Sequence, residues 1–209
     1  MALTLLHTAE LHRGAFDALR DRIAPGAELR HVVRPDWLER AKDGTPGDVA
    51  AEIAEMVGAA GGPVLCSCTT IGAAAEEAGA MRIDWPMMQA AARRGGAVML
   101  AYAAESTLEP SRALLERAIR AEGGTGPVHL LALTEFWPLF QAGEHEAFEA
   151  AIAAAIRAAV PDIEGLGVVV LAQASMAGAA ERLDDLGVPV LASPEQALRA
   201  ALGAARPTA

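Results

Sequence analysis

Pro63-Val64-Leu65-Cys66-Ser67-Cys68-Thr69-Thr70-Ile71-Gly72-Ala73-Ala74-Ala75-Glu76 changes character at its middle. Residues 63–67 form a short apolar run after Gly61-Gly62, the pattern of a buried strand. Residues 69–79 are rich in Ala and Glu and predict a helix, so Cys68-Thr69-Thr70 is expected to form a strand-to-helix turn. Upstream the same alternation appears: a strand at Leu3–His7, a helix over 10–22, a strand over 28–33, and a helix over 47–60 opened by Thr45-Pro46. Strands alternating with helices are the pattern of a parallel α/β sheet.

The second half repeats the plan, with strands at 97–103, 128–133 and 166–172 and helices at 110–121 and 144–159. The stretch 68–76 aligns with Gln173-Ala174-Ser175-Met176-Ala177-Gly178-Ala179-Ala180-Glu181 at a constant offset of 105 residues. Thr70 faces Ser175 in this alignment, and Trp37 has a looser counterpart in Trp137, 100 residues on. Alanine-rich helices match easily, so the shared order of elements carries most of the weight for an internal duplication. The expected division is a first lobe over 1–95, a second over 96–188, and a C-terminal segment over 189–209 packing back on the first. Ligands of open α/β sheets bind beyond the carboxyl ends of the strands. Both turns therefore mark candidate sites. If the lobes face each other, Cys68 and Gln173 approach one cleft; the plainer alternative is two unrelated turns.

Composition narrows the function. The 209 residues are 53% hydrophobic, enough for one sizeable core or two smaller fused ones. A net charge of −10 leaves no basic stripe for phosphates, which argues against nucleic acid and anionic membranes and for small-molecule ligands. Met1 to Arg13 has no basic signal-peptide start, and the apolar stretches fall far short of the roughly 20 residues that span a bilayer; a cytoplasmic protein is expected. The single lysine, Lys42, sits in the turn-like Lys42-Asp43-Gly44, which argues against a pyridoxal phosphate Schiff base. Neither a phosphate-binding glycine loop nor a metal-ligand spacing occurs; His12, His31, His129 and His145 are scattered. No cofactor is expected.

Cys68 is the leading candidate for chemistry, because a thiol ahead of a helix gains from the positive end of the dipole, which favours the thiolate. The alternative is a small core hydrophobe, a reading that suits Cys66 better. Thr69, Thr70 and Ser175 place hydroxyls beside backbone N–H groups, a combination that holds a carboxylate or enolate oxygen, although helix capping accounts for them as well. Ser106 and Thr107, ahead of Pro110, carry the same two readings. His7, ending the first strand, is a candidate substrate contact or a hydrogen-bonded structural histidine. Arg34, Arg82 and Arg112 are candidate carboxylate partners that sequence does not rank. Trp37 and Trp137 are read either as cleft walls or as packing.

Val64-Leu65-Cys66-Ser67-Cys68-Thr69-Thr70 resembles the first cysteine motif of the Asp/Glu/hydantoin racemase superfamily, in which Cys is followed by Asn or Thr and then Thr or Ser. Val169-Val170-Leu171-Ala172-Gln173-Ala174-Ser175-Met176-Ala177 resembles the second motif, near the Val-Leu-Gly-Cys-Ala-Gly-Met-Ala form of hydantoin racemases, with Gln173 in place of the cysteine. The element order matches over nearly the whole chain, with Arg82-Ile83-Asp84-Trp85-Pro86 in the place of the strand and crossover after the first motif. The resemblance implies two pseudo-symmetric flavodoxin-like lobes, each a mainly parallel sheet flanked by helices. It also implies cofactor-free proton transfer at carbon and, since relatives often pair, a homodimer or higher homo-oligomer.

Two-cysteine members remove a proton on one face and deliver one on the other. Glutamine does not exchange a proton near neutral pH, so that two-base scheme does not carry over. The superfamily also holds arylmalonate decarboxylases, which work with one cysteine on the second lobe, and maleate isomerases, whose cysteine is a nucleophile. The expectation is a racemase-like isomerase of a small carboxylate or related carbonyl compound, with Cys68 as acid/base and Gln173 as hydrogen-bond donor. The alternatives are a decarboxylase-like lyase and an inactive carboxylate-binding protein.

Overall fold

The structure, a computed structural model, describes residues 2–204. They fall into two compact units, one running through Asp84 and resuming at Pro194, the other Trp85–Ser193. The first contains β1 (Leu3–His7), α1 (Leu11–Ile23), β2 (Leu29–Val33), α2 (Pro35–Arg40), α3 (Gly47–Ala59), β3 (Val64–Cys66), α4 (Gly72–Glu77) and β4 (Met81–Arg82). The second contains α5 (Trp85–Arg94), β5 (Ala97–Tyr102), α6 (Leu108–Ala121), β6 (Val128–Ala132), α7 (Trp137–Gln141), α8 (His145–Ala159), β7 (Leu166–Leu171), α9 (Gly178–Glu181) and β8 (Val190–Ala192). Then α10 (Ser193–Ala204) carries the chain into the first unit, where Glu195 pairs with Arg22 at 2.9 Å.

Each unit holds one four-stranded parallel sheet, ordered β2-β1-β3-β4 in the first and β6-β5-β7-β8 in the second. The two orders are the same permutation of their elements. Strand alternation explains the packing. In β5, Val98, Leu100 and Tyr102 face one way with Val168 and Val170 of β7, against Met87, Ala91, Leu114 and Leu115 of α5 and α6. Met99 and Ala101 face the other way with Val169 and Leu171, against Phe148, Ile152 and Ile156 of α8. A strand buried on both faces reads as a continuous apolar run, as 97–103 does. In the first unit Leu6, Val64 and Cys66 pack against Trp37, Val49, Ile53, Ile71 and Ala75. By the same alternation Leu3, Leu5 and His7 point to the opposite face. Among the described residues no helix is long and apolar enough to cross a membrane.

The helix expected over 69–79 is shorter, beginning only at Gly72. Thr69, Thr70 and Ile71 are three β-branched residues in a row, which lose side-chain freedom in a helix. They form a turn instead, with Gly72 N–H donating to Thr69 O at 3.1 Å. The helix ends where Gly79, at φ 98°, lets Gly79 N–H reach Glu76 O at 2.9 Å and Ala80 N–H reach Ala75 O at 2.8 Å, a Schellman closure.

Candidate active site

The Cys68 turn is built by holding its strand on both sides up to the last residue. Ser67 N–H donates to Leu6 O at 2.9 Å, and Ile83 N–H donates to Cys66 O at 3.0 Å. Cys68 is thus the first side chain beyond the sheet. It is half-buried, while Cys66 is wholly buried, with its thiol donating to Cys68 O at 3.5 Å. Burial, and next to it the nearby Cys68, push the Cys66 thiol up, so Cys66 is an unreactive core group. Thr69 and Thr70 are buried beside Cys68, and each has a polar or electrostatic partner. The N-cap position of α4 is Ile71, which makes no side-chain bond. Cys68 therefore lies three residues ahead of the cap. A helix dipole acts mainly within its first turn, so the dipole argument for Cys68 loses most of its force.

Behind the turn lies a buried ion pair. Arg82 Nε donates to Asp84 Oδ1 at 3.0 Å and its NH2 to Oδ2 at 2.8 Å, with side-chain exposures of 5% and 1%. The guanidinium rests on the first residue of α4, where a β-carbon on Gly72 would stand 3.0 Å from Arg82 Nε. Any larger residue at 72 would crowd the guanidinium.

His7 sits under the same turn at 1% exposure and does not turn a ring nitrogen outward. Its Nδ1 lies 2.7 Å from Ser67 Oγ and its Nε2 2.8 Å from His31 Nδ1. Burial, with His12, His31 and Arg13 adding repulsion, lowers its pKa from 6.5 to about 3, so the ring is neutral. Burial also lowers His12 to about 4.

In the second unit, Gln173 occupies the position that Cys68 holds in the first. Ala172 N–H donates to Ala101 O at 2.9 Å, repeating the Ser67-to-Leu6 bond, and the next residue is Gln173. Its side chain is 6% exposed and its Oε1 accepts from Ala103 N–H at 2.6 Å and Ala104 N–H at 2.9 Å. Two N–H donors fix the amide orientation, leaving the NH2 group as the end able to donate elsewhere. Thr107 meets the same segment: its hydroxyl donates to Ala104 O at 2.6 Å, and the helix that it precedes starts at Leu108, not 110. Ser106, beside it, also has a partner. Ser175 is half-buried in a single 3₁₀ turn, Ala174–Met176.

The candidate arginines pair with the chain's own acids. Arg34 bonds Asp36 and Glu52, Arg82 bonds Asp84, and Arg112 bonds Glu116 at 2.9 Å. Trp37 is a core residue, fully buried with its Nε1 donating to Glu52 at 2.8 Å and Arg34 stacked over its ring. Trp137 is half-buried and stacks on Phe140 at 4.8 Å. Both are packing residues in their own units. Sequence reasoning passed over Ser67, His31 and Asp84, and the two backbone amides at 103 and 104. None has a motif, since each is found only when the strand register is known.

No protein-family model matches the chain, and no curated protein matches it. Solved structures do. Allantoin racemase from Klebsiella pneumoniae aligns over 97% of this chain and 86% of its own, with TM-score 0.66 and 17% identity. Glutamate racemase from Francisella tularensis, in complex with D-glutamate, aligns over 97% and 80%, with TM-score 0.72 and 10% identity. Arylmalonate decarboxylase aligns over 100% and 94%, with TM-score 0.63 and 15% identity. At these identities the likeness is one of fold. The chain has the α/β architecture of these racemases and this decarboxylase, with two parallel four-stranded sheets flanked by helices.

Proposed function

We propose that this protein is a cofactor-independent isomerase of the racemase type, acting on a small carboxylate or related carbonyl compound, with Cys68 as its single acid/base. The observation that carries this reading is Cys68 itself. It is a half-buried thiol just beyond the carboxyl end of a central strand, in a fold shared with racemases. As a thiolate it takes the proton from the carbon next to the substrate carbonyl, and as a thiol it returns one. Thr69 and Thr70 hold oxygens of the planar intermediate. In the second unit Gln173, its oxygen tied down, offers an N–H donor, and Ser175 and Thr107 offer hydroxyls. With no second thiol at Gln173, the return proton comes from Cys68 or from water. Lys42 pairs with Glu39 at 2.5 Å on the surface, which supports a scheme with no Schiff base.

The second reading is a lyase in which Cys68 protonates the carbanion left when a malonate-like substrate loses carbon dioxide. The likeness to arylmalonate decarboxylase favours it, and it needs one proton donor only. A panel of small 2-substituted carboxylates and malonates, assayed in parallel for solvent deuterium uptake at the 2-carbon and for carbon dioxide release, separates the two. Deuterium uptake without carbon dioxide supports the isomerase; carbon dioxide release from a malonate supports the lyase. If neither occurs, while a panel member protects Cys68 from iodoacetamide, the protein binds without turnover.

A further inference from the structure

β6 closes one edge of the second unit's sheet, and no strand among the described residues lies along its outer side. Val98 N–H donates to Pro127 O at 2.9 Å and Leu133 N–H donates to Tyr102 O at 2.8 Å. The odd-numbered residues of β6 therefore bond to β5, and Val128, Leu130 and Ala132 turn their backbone N–H and C=O groups outward. An open edge is normally blunted by charged side chains. β2, at the same place in the first unit's sheet, is blunted in this way: residues 29–40 include Arg30, Arg34, Asp36, Glu39 and Arg40. The corresponding stretch 128–140 has Glu135 alone. Leu130, in the middle of β6, is 43% exposed; it and Leu11 are the large apolar side chains left exposed among the described residues.

The elements on either side of this edge continue its character. On one side Arg112, Glu116, Ile119 and Arg120 of α6 line a groove with Val128 and Leu130. α6 returns antiparallel to the strands that it joins, so Arg112 and Glu116 stand beside Leu130, and Arg120 stands beside Val128. Arg112 and Glu116 bond each other at 2.9 Å and remain 50% and 39% exposed. On the other side Phe136, Trp137, Leu139 and Phe140 are only half-buried, packed with Leu131 on the core around Phe148.

We propose that the outer edge of β6 is the surface on which a second copy of this chain docks, by antiparallel strand pairing about a two-fold axis at Leu130. The outward residues lie symmetrically about that point. Leu130 exchanges N–H to C=O bonds with its counterpart, and Val128 does the same with Ala132 of the other copy, so every outward group finds a partner. The Leu130 side chains meet across the axis. On the α6 side Arg112 of each copy faces Glu116 of the other, a charge complementarity that an identical, inverted row supplies. This match selects a second copy over an unrelated strand. A stable pairing covers about 800 Å² a side, more than a five-residue strand offers, so the α6 row and the α7 aromatic residues share in it. Copies that each carry a net charge of −10 also repel least through a stretch with one acid. The inference is independent of the role of Cys68.

Sedimentation of the native chain at micromolar concentrations, beside three variants, tests it. The native protein sediments as a dimer. Leu130→Lys, at an exposed position, gives β6 the kind of guard that Arg30 gives β2; it sets like charges across the axis and raises the dissociation constant roughly 100-fold or more, with circular dichroism unchanged. Arg112→Glu weakens the dimer, and the exchange Arg112→Glu/Glu116→Arg restores it. Leu130→Cys, mildly oxidised, gives a disulfide between two copies, because a hydrogen-bonded antiparallel pair holds its Cα atoms about 5.5 Å apart. Mass spectrometry locates that bond at the introduced thiols and separates it from Cys66 and Cys68. A native protein that stays monomeric overturns the proposal, and so does a dimer that Leu130→Lys leaves intact or that Leu130→Cys does not link.

Discussion

Replacing Asp84 by alanine takes from Arg82, a buried cation of the first unit, its bidentate carboxylate partner. Both side chains are nearly inaccessible, at 5% and 1% exposure, and Arg82 is bound bidentately. Removing one partner of such a pair costs about 3–5 kcal/mol, since the remaining charge keeps its desolvation cost and loses its counter-charge. With a urea slope of about 2 kcal/mol per molar, the midpoint falls by roughly 1.5–2.5 M. Cys66 provides a local assay. It is fully buried in this unit and becomes labelled only when the unit opens, and mass spectrometry distinguishes it from Cys68. The double variant Arg82→Met/Asp84→Leu removes both charges and regains most of the loss, because a buried pair contributes little net stability against apolar residues of similar size. If Asp84→Ala shifts Cys66 labelling by less than about 1 kcal/mol, the guanidinium is reached by water, and the buried clamp behind the Cys68 turn is wrong.

Other expectations follow from single groups. Gln173→Ala leaves two backbone N–H groups without their acceptor and costs about 1–3 kcal/mol, whereas Gln173→Glu keeps the acceptor and most of the stability; amide exchange at Ala103 and thermal unfolding measure both. The first unit loses stability as pH falls. His7 has a folded pKa lowered to about 3 against 6.5, so the unfolded chain binds more protons between those values, and stability present above 6.5 is lost on descending through the window. The slope is at most about 1.4 kcal/mol per pH unit for this one group, and Cys66 labelling in urea at several pH values should lose that part of its slope in His7→Gln.

The α/β class was legible because buried parallel strands are continuous apolar runs, as at 97–103 and 166–172, and because helices between them keep their own period. The duplicated plan reappears as two sheets with the same strand permutation. Short edge elements were not legible: β4 and β8 have two and three residues, too few for a period. The turn at Cys68-Thr69-Thr70 is legible from the change of character there, but the start of α4 is not: the alanine-rich pattern puts it at 69, and three β-branched residues in a row delay it to Gly72. The hydrogen-bonded groups under the turn were hidden for a different reason. His7 and His31 share a face only because Leu5 pairs with His31 and His7 with Val33, a register that no local pattern announces. The donors around Gln173 were equally hidden, because the amides of Ala103 and Ala104 that hold its oxygen lie some 70 residues away in sequence.

The most direct test of the account is solvent deuterium uptake at the substrate 2-carbon, followed by NMR across the carboxylate and carbonyl panel in the native protein, Cys68→Ser and Cys66→Ser. The account predicts uptake that Cys68→Ser lowers by roughly 10²–10⁴-fold, the range expected for loss of a general acid/base, and that Cys66→Ser leaves in place. Full uptake in Cys68→Ser would contradict it, and the proton-transfer role would have to move to another group.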